Sequence, residues 1–358
     1  MITEPIVTRD DILLESLVLV DGQAGCGKTL FTAIVAAMDR VELLNYSPEL
    51  ENICALKYLD KIQTDAAETM IRIQMDLILY ETMMSRRTNF RPSDLSGTFR
   101  DVDFLTYVKR LFSKGNEIIP KRIKEEKPIL HFATHNLLAF SEPVFTALGK
   151  KAVLIEIVRH PLYMLIQHTL NQINFSKPAG TARQFHIYIK HKGKQLPYWH
   201  LGQEELDLRS NSVERAIYDI QKHSELTKSF KEKFMKKYGG QIVTIPFERF
   251  VLDPWPYMRR IEDLLATKVT SKTRKVMRKH NIPRKKIADG IPLAIYKRCG
   301  WKPPEKGLSE KQELEKRRQY AIEQGAGKEA LEVLDRISAE YEQNYLKLHS
   351  EIHLETSD

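Results

Sequence analysis

The sequence predicts an α/β fold, with a parallel central sheet flanked by helices and a helical appendage at its C-terminal end. Short apolar runs alternate with segments of helical periodicity, and this alternation is typical of a parallel sheet that is covered on both faces. A glycine-rich turn separates the first apolar run from the first helix, and the C-terminal residues are charged and helical. The length of 358 residues allows one large domain of this kind with additions, or two domains.

Four apolar runs are the strand candidates. The first, SLVLV at 16–20, precedes the glycine-rich turn, and the third, AVLIEIV at 152–158, ends at an Arg-His-Pro break. The others lie at 128–134 and 241–246. Runs of this length and composition are typical of buried parallel strands. Helices are expected between and after them, at 30–38, 66–87, 138–148, 162–173 and 254–265.

Two segments depart from this alternation. Residues 174–211 contain several Pro and Gly residues beside alternating apolar positions, which predicts a long excursion with a hairpin on the substrate side. Residues 310–325 and 328–350 are helical, and the second carries one apolar stripe. We therefore expect a main domain at 1–305 and a helical extension at 306–358. Docking of the stripe on the main domain is favoured over a partner helix.

Composition excludes several classes of protein. The net charge is +9, and residues 268–302 hold twelve Lys or Arg and one acid, so the positive excess is local rather than a uniform coat for nucleic acid. This stretch also lacks the basic-aromatic interleaving of a nucleic-acid platform. The sequence contains no apolar run long enough to span a membrane. Residues 1–15 are mixed acidic and polar, so we do not expect a signal peptide. Three cysteines without a C-x-x-C pair indicate neither disulfides nor zinc, so a cytoplasmic location is predicted.

A phosphate-binding pattern lies near the N-terminus. Residues 22–29, GQAGCGKT, match G-x-x-x-x-G-K-[ST] in full. Glycines let the backbone turn its N–H groups toward a phosphate, and the following helix adds the positive end of its dipole. In such loops the lysine reaches terminal phosphate oxygens and the threonine bonds a phosphate or a metal ion. The pattern predicts phosphate binding by Lys28 and Thr29 without specifying a reaction.

The carboxylate of a nucleotide triphosphatase is not evident. Such enzymes hold Mg²⁺ with an Asp at the end of an apolar strand, and neither 128–134 nor 152–158 ends in one. Glu156 lies inside the third strand, and Glu248 follows the fourth. A kinase or NTPase that uses ATP·Mg is therefore the second hypothesis.

A family resemblance emerges from the later segments. Arg159 follows the third strand, where ligands bind in open α/β sheets, and its planar fork suits phosphate; an arginine in a surface salt bridge is the alternative. The segment VLIEIVRHPLYMLIQHT at 153–169 resembles the 3′-phosphate motif of sulfotransferases, and IPFERFVLDP at 245–254 resembles their late strand-helix segment. The strand that ends in Thr134-His135 is similar to the one that presents their catalytic histidine. KRCGWK at 297–302 resembles their basic-Gly-Trp loop.

Two positions depart from the family pattern. The usual loop is Pro-(Lys/Arg)-Ser-Gly-Thr-Thr; aligned on Gly27, it places Gly25 at the basic position and moves the lysine to Lys28. Gln167 stands where the family often has Ser. The chain thus combines a kinase form of the phosphate loop with a frame that resembles a sulfotransferase.

The resemblance implies transfer of a sulfuryl group from 3′-phosphoadenosine 5′-phosphosulfate to a hydroxyl or amine, with a carbohydrate as one candidate, no obligatory metal and adenosine 3′,5′-bisphosphate as product. It implies catalytic roles for Lys28, at the bridging oxygen, and for His135, as the base. An ordinary hydrogen-bonded histidine is the alternative for His135. The implied nucleotide contacts are Gly25, Cys26, Gly27, Lys28, Thr29 and Leu30 at the 5′-phosphate, and Arg159, Gln167, Arg298, Cys299 and Gly300 at the 3′-phosphate.

Overall fold

A computed structural model describes residues 5–94, 96–101, 103–175, 177, 184–291 and 307–347. Its centre is a sheet of four parallel strands in the order β2-β1-β3-β6. The strands are β1 (Ser16–Asp21), β2 (Ile129–Ala133), β3 (Ala152–Val158) and β6 (Ile242–Pro246). The predicted α/β class and parallel sheet are confirmed, and each strand lies within one residue or two of its predicted position.

Successive residues of β1 face opposite sides of the sheet and build two cores. Val18 and Val20 belong to one cluster, whereas Leu17 and Leu19 belong to the other. All four side chains are fully buried, because a parallel sheet is covered by helices on both faces. The strands pair in register, with Val18 opposite both His131 of β2 and Val153 of β3. Their carboxyl ends therefore meet at one edge.

Helices cover both faces of this sheet. On the first are α1 (Lys28–Ala36), α7 (Pro161–Phe175), α10 (Phe247–Leu252), α11 (Trp255–Leu265) and α12 (Ser271–Lys279). On the second are α2 (Pro48–Tyr58), α3 (Thr64–Met83), α5 (Ile119–Glu126) and α6 (Glu142–Leu148). The long α9 (Ser212–Tyr238) contributes to both clusters, while α4 (Phe104–Leu111) and α8 (Glu204–Arg209) are short.

The excursion contains the predicted hairpin, formed by β4 (Tyr188–His191) and β5 (Lys194–Pro197). Near the C-terminal end, α13 (Glu310–Glu323) and α14 (Lys328–Tyr341) precede a π-helical turn at Glu342–Lys347. The predicted stripe of α14 docks on the main body through Leu334, Ile337 and Tyr341, all buried. Among the helices of the described residues, none is both long and apolar enough to cross a membrane.

Candidate functional site

The phosphate loop connects β1 to α1 and approaches a phenylalanine ring closely. Gly27 has a φ of +106°, and a Cβ built on it lies 2.3 Å from Cδ2 of Phe247. Only glycine fits both the backbone conformation and this approach. Gly27 caps α1 without a side-chain hydrogen bond, and the first turn of α1 holds no acidic residue. The N–H groups at this helix terminus are therefore available to an anion.

Lys28 lies at the base of the loop. Its Nζ donates to the carbonyl oxygen of Gly22 and, at 2.6 Å, to that of Thr134. An ammonium group has three N–H donors, so one is left for a ligand. The bond to Thr134 brings Lys28 beside the residue that precedes His135. Both candidate catalytic side chains line one cavity.

The cavity measures about 290 Å³ and lies between the phosphate loop, α7, residues 284–291 and α13. Most residues predicted to bind the nucleotide line it: Gly25, Gly27, Lys28, Thr29, Leu30, Arg159 and Gln167. Cys26 is buried below the loop, and burial raises the pKa of its thiol to about 11, so its side chain is a neutral packing group. The predicted contacts Arg298, Cys299 and Gly300 lie outside the described residues.

Arg159 is held against the phosphate loop. Its Nη1 donates to the carbonyl oxygen of Gly25 at 2.9 Å, and its Nε lies 4.0 Å from Glu248. Burial lowers the pKa of the guanidinium, the charge of Glu248 opposes that shift, and the charge of Arg317 adds to it. The Nε atom is buried and has no hydrogen-bond partner in the described protein. An additional acceptor is therefore expected at this position.

Arginines and aromatic rings alternate along the cavity. The guanidinium carbon of Arg159 lies 4.4 Å from the ring centroid of Phe247 and 4.9 Å from that of Tyr163. Arg317 approaches Tyr163 to 4.5 Å, and Arg284 approaches Phe247 to 5.7 Å. We call these five residues the arginine ladder. Since the described lining contains no Asp or Glu, the ladder presents positive charge to a ligand.

His135 follows β2 and is exposed at the mouth of the cavity. Its Nδ1 lies 3.2 Å from Glu51 of α2, which also accepts its backbone N–H at 2.9 Å. A carboxylate in this position orients a histidine that acts as a base. His131, earlier on β2, is fully buried, and burial lowers its pKa to about 3. It is a neutral core residue and does not line the cavity.

A buried carboxylate supports the far side of the loop that holds His135. Asp219 of α9 lies 3.2 Å from His200 and 3.5 Å from His223, whose Nε2 in turn lies 3.2 Å from Asn136. Burial alone would lower the pKa of His200, but its hydrogen bonds with Asp207 and Asp219 raise it to about 9. No group of three or more metal-ligating side chains with suitable geometry occurs among the residues that the structure describes.

Sequence reasoning missed most of the ladder. Tyr163 and Phe247 look like core residues in the sequence, and Arg284 is one of many cations in its stretch. Arg317 lies in a helix with charges on all sides and gives no signal at all. Only the folded chain brings these residues to Arg159.

Comparison with known proteins finds no matching family model and no matching curated protein. Similar solved structures include a sulfotransferase from Mycobacterium avium, at 14% identity over 94% of this chain and 78% of that one, with a TM-score of 0.41. Another is the sulfotransferase domain of the Synechococcus PCC 7002 olefin synthase, at 11% identity over 94% of this chain and 98% of that one, with a TM-score of 0.39. At these scores, the function of this chain has to be inferred from its own residues.

Proposed function

We propose that this protein is a sulfotransferase that uses 3′-phosphoadenosine 5′-phosphosulfate as its donor. The observation that carries the proposal is that the phosphate loop and the arginine ladder line the same cavity. A nucleotide with phosphates at both its 5′ and 3′ positions needs two anion sites in one pocket. The loop supplies one and Arg159 the core of the other.

Each site suits a different part of the donor. The open amides at the start of α1 suit the 5′-phosphate, where the helix dipole favours negative charge. Arg159, whose buried Nε lacks a partner, suits the 3′-phosphate, since a guanidinium fork matches phosphate oxygens. Gln167 lies beside the phosphate loop, because a Cβ added to Gly25 would be 3.2 Å from the Cβ of Gln167.

The transfer step requires a proton acceptor and a cation. The acceptor oxygen or nitrogen forms a bond to sulfur while the bond from sulfur to the bridging phosphate oxygen breaks. His135 takes the acceptor's proton, and Glu51 holds its ring in place. Lys28 neutralises the negative charge that the leaving phosphate oxygen gains. Adenosine 3′,5′-bisphosphate is the product.

A kinase or NTPase that uses ATP·Mg is the second candidate, because residues 22–29 match the kinase form of the loop. It would need a carboxylate near the loop that is free to hold the metal. Asp21 already accepts hydrogen bonds from the hydroxyl of Thr134 and from two backbone amides. Glu156 is engaged by Lys231 at 2.6 Å and by Thr244 at 2.6 Å. Because the oxygens of both carboxylates are engaged within the protein, these contacts favour the sulfotransferase over an enzyme that needs Mg²⁺.

Calorimetric titration of the purified chain separates the two candidates. The proposal predicts that adenosine 3′,5′-bisphosphate binds at least about 10-fold more tightly than ATP·Mg, since one charge-assisted hydrogen bond contributes about 1.5–3 kcal/mol. Equal affinity, or tighter binding of ATP·Mg, would refute it. Transfer of labelled sulfate from the donor to a panel of carbohydrate and amine acceptors then identifies the acceptor class.

A further inference from the structure

The C-terminal segment 307–347 extends into the proposed nucleotide pocket. Arg317 of α13 lines the cavity although it is 7% exposed, and it stacks on Tyr163 of α7. Several hydrogen bonds hold the segment there, and two of them involve residues in or beside the arginine ladder. Tyr163 donates to Glu310 at 2.7 Å, and Tyr341 donates to the buried Glu248 at 2.5 Å. The segment is therefore fixed to α7, which follows β3, and to α10, which follows β6.

Arg317 has an incomplete set of hydrogen-bond partners. One terminal nitrogen pairs with Glu313 at 2.7 Å, which fixes the side chain on α13. Its Nε is buried without a partner among the described residues, as is the Nε of Arg159. Both arginines line one cavity, and two buried N–H donors of charged groups are costly unless an acceptor satisfies them. A phosphate oxygen is an acceptor of the right charge for both.

The alternative is that Arg317 only anchors α13. Its ion pair with Glu313 joins residues four apart on one helix, and so contributes nothing to docking of that helix. Its contact with the main body is the face of Tyr163, which Arg159 also approaches. The two like charges on one ring repel each other, Glu248 and Glu313 offset part of this repulsion, and an anion that binds both arginines offsets it further.

We propose that Arg317 is a specificity-determining ligand of the donor's second phosphate, so that the C-terminal segment completes the nucleotide site. This inference rests on the proposed function. Arg159, from the strand end, and Arg317, from the extension, both lie against Tyr163 and both line the cavity, so that one phosphate can contact both. The preference for a 3′-phosphorylated nucleotide thus depends on a segment that is remote in sequence from the phosphate loop.

The test compares Arg317→Gln with Arg318→Gln, which removes the same charge from the same helix. Arg318 is 39% exposed, pairs with Asp335 at 2.7 Å and does not line the cavity. Calorimetry gives the dissociation constants of adenosine 3′,5′-bisphosphate and of adenosine 5′-monophosphate for each protein. Arg317→Gln is expected to weaken binding of the bisphosphate by about 10- to 100-fold and binding of the monophosphate by less than about 3-fold. Arg318→Gln should change neither.

Equal weakening of both nucleotides by Arg317→Gln, or no weakening, overturns the inference. Because Arg317→Gln leaves Glu313 buried without its cation and can reduce folding, Arg317→Lys is measured too. Lysine retains the positive charge but lacks the planar guanidinium. The preference for the bisphosphate over the monophosphate should therefore fall by about 3- to 10-fold. An unchanged preference in this variant also contradicts the inference. If the unaltered protein shows no preference for the bisphosphate, the proposed function itself fails, which is a distinct result.

Discussion

Replacing Gly27 with alanine introduces a methyl group where the phosphate loop passes the arginine ladder. The added Cβ would lie 2.3 Å from Cδ2 and 2.4 Å from Cε2 of Phe247. Phe247 is 5% exposed and supports Arg159 at 4.4 Å from its ring centroid. The ring therefore cannot yield to the methyl group without moving the guanidinium.

The cost has two parts. A non-glycine residue at a φ of +106° is strained by about 1–3 kcal/mol. Forcing a methyl group into a packed position adds about 1–3 kcal/mol. Together they predict a loss of about 2–6 kcal/mol in the free energy of unfolding. Displacement of Arg159 should also weaken binding of adenosine 3′,5′-bisphosphate by about 10-fold or more.

Urea denaturation and calorimetric titration measure the two effects on Gly27→Ala. Gly193→Ala is the matched control, because Gly193 has a φ of +79° in the turn between β4 and β5 and an added Cβ would meet nothing within 4 Å. The control should lose only about 1–2 kcal/mol for its backbone conformation and should keep its nucleotide affinity. Wild-type stability and affinity in Gly27→Ala would refute the packing argument.

Three further substitutions test the supports of the site. Tyr341→Phe removes a donor from buried Glu248 and should cost about 1–3 kcal/mol of stability in urea denaturation, whereas an unchanged midpoint would show that the contact is dispensable. Asp21→Asn weakens three hydrogen bonds that fix the loop after β2; we expect a loss of about 2–4 kcal/mol and slower sulfate transfer, and normal transfer rates would argue against this support. Asp207 and Asp219 raise the pKa of His200 to about 9, so protonated His200 contributes its full stabilisation below pH 6.5. The free energy of unfolding should fall by about 3 kcal/mol as the pH rises from about 6.5 through 9. His200→Gln should not show this fall.

The fold was largely predictable because buried parallel strands are apolar on both faces. The predicted run at 152–158 coincides with β3, and the Arg-His-Pro break after it marks the start of α7. Helices α2, α4, α5, α8, α9 and α10 were not predicted. The 27 residues of α9 are dominated by charged side chains, and its apolar positions are divided between two cores, so no single stripe marks it.

Part of the candidate site could be predicted, where a short pattern has a local physical reason. The glycines and Lys28 form one continuous loop, and Arg159 directly follows a strand, so spacing alone indicated both. The rest of the ladder depends on contacts between distant segments. Arg284 and Arg317 reach Arg159 only because residues 284–291 and α13 fold over the same edge of the sheet, and no spacing in the sequence encodes that.

The most direct test of the central claim is a crystal structure of the protein with adenosine 3′,5′-bisphosphate. We expect the 5′-phosphate at the amides of Gly27, Lys28 and Thr29, and the 3′-phosphate within hydrogen-bond distance of Arg159, at about 3 Å. A 3′-phosphate that points to solvent, or a nucleotide bound outside the cavity that Arg159 lines, would contradict it.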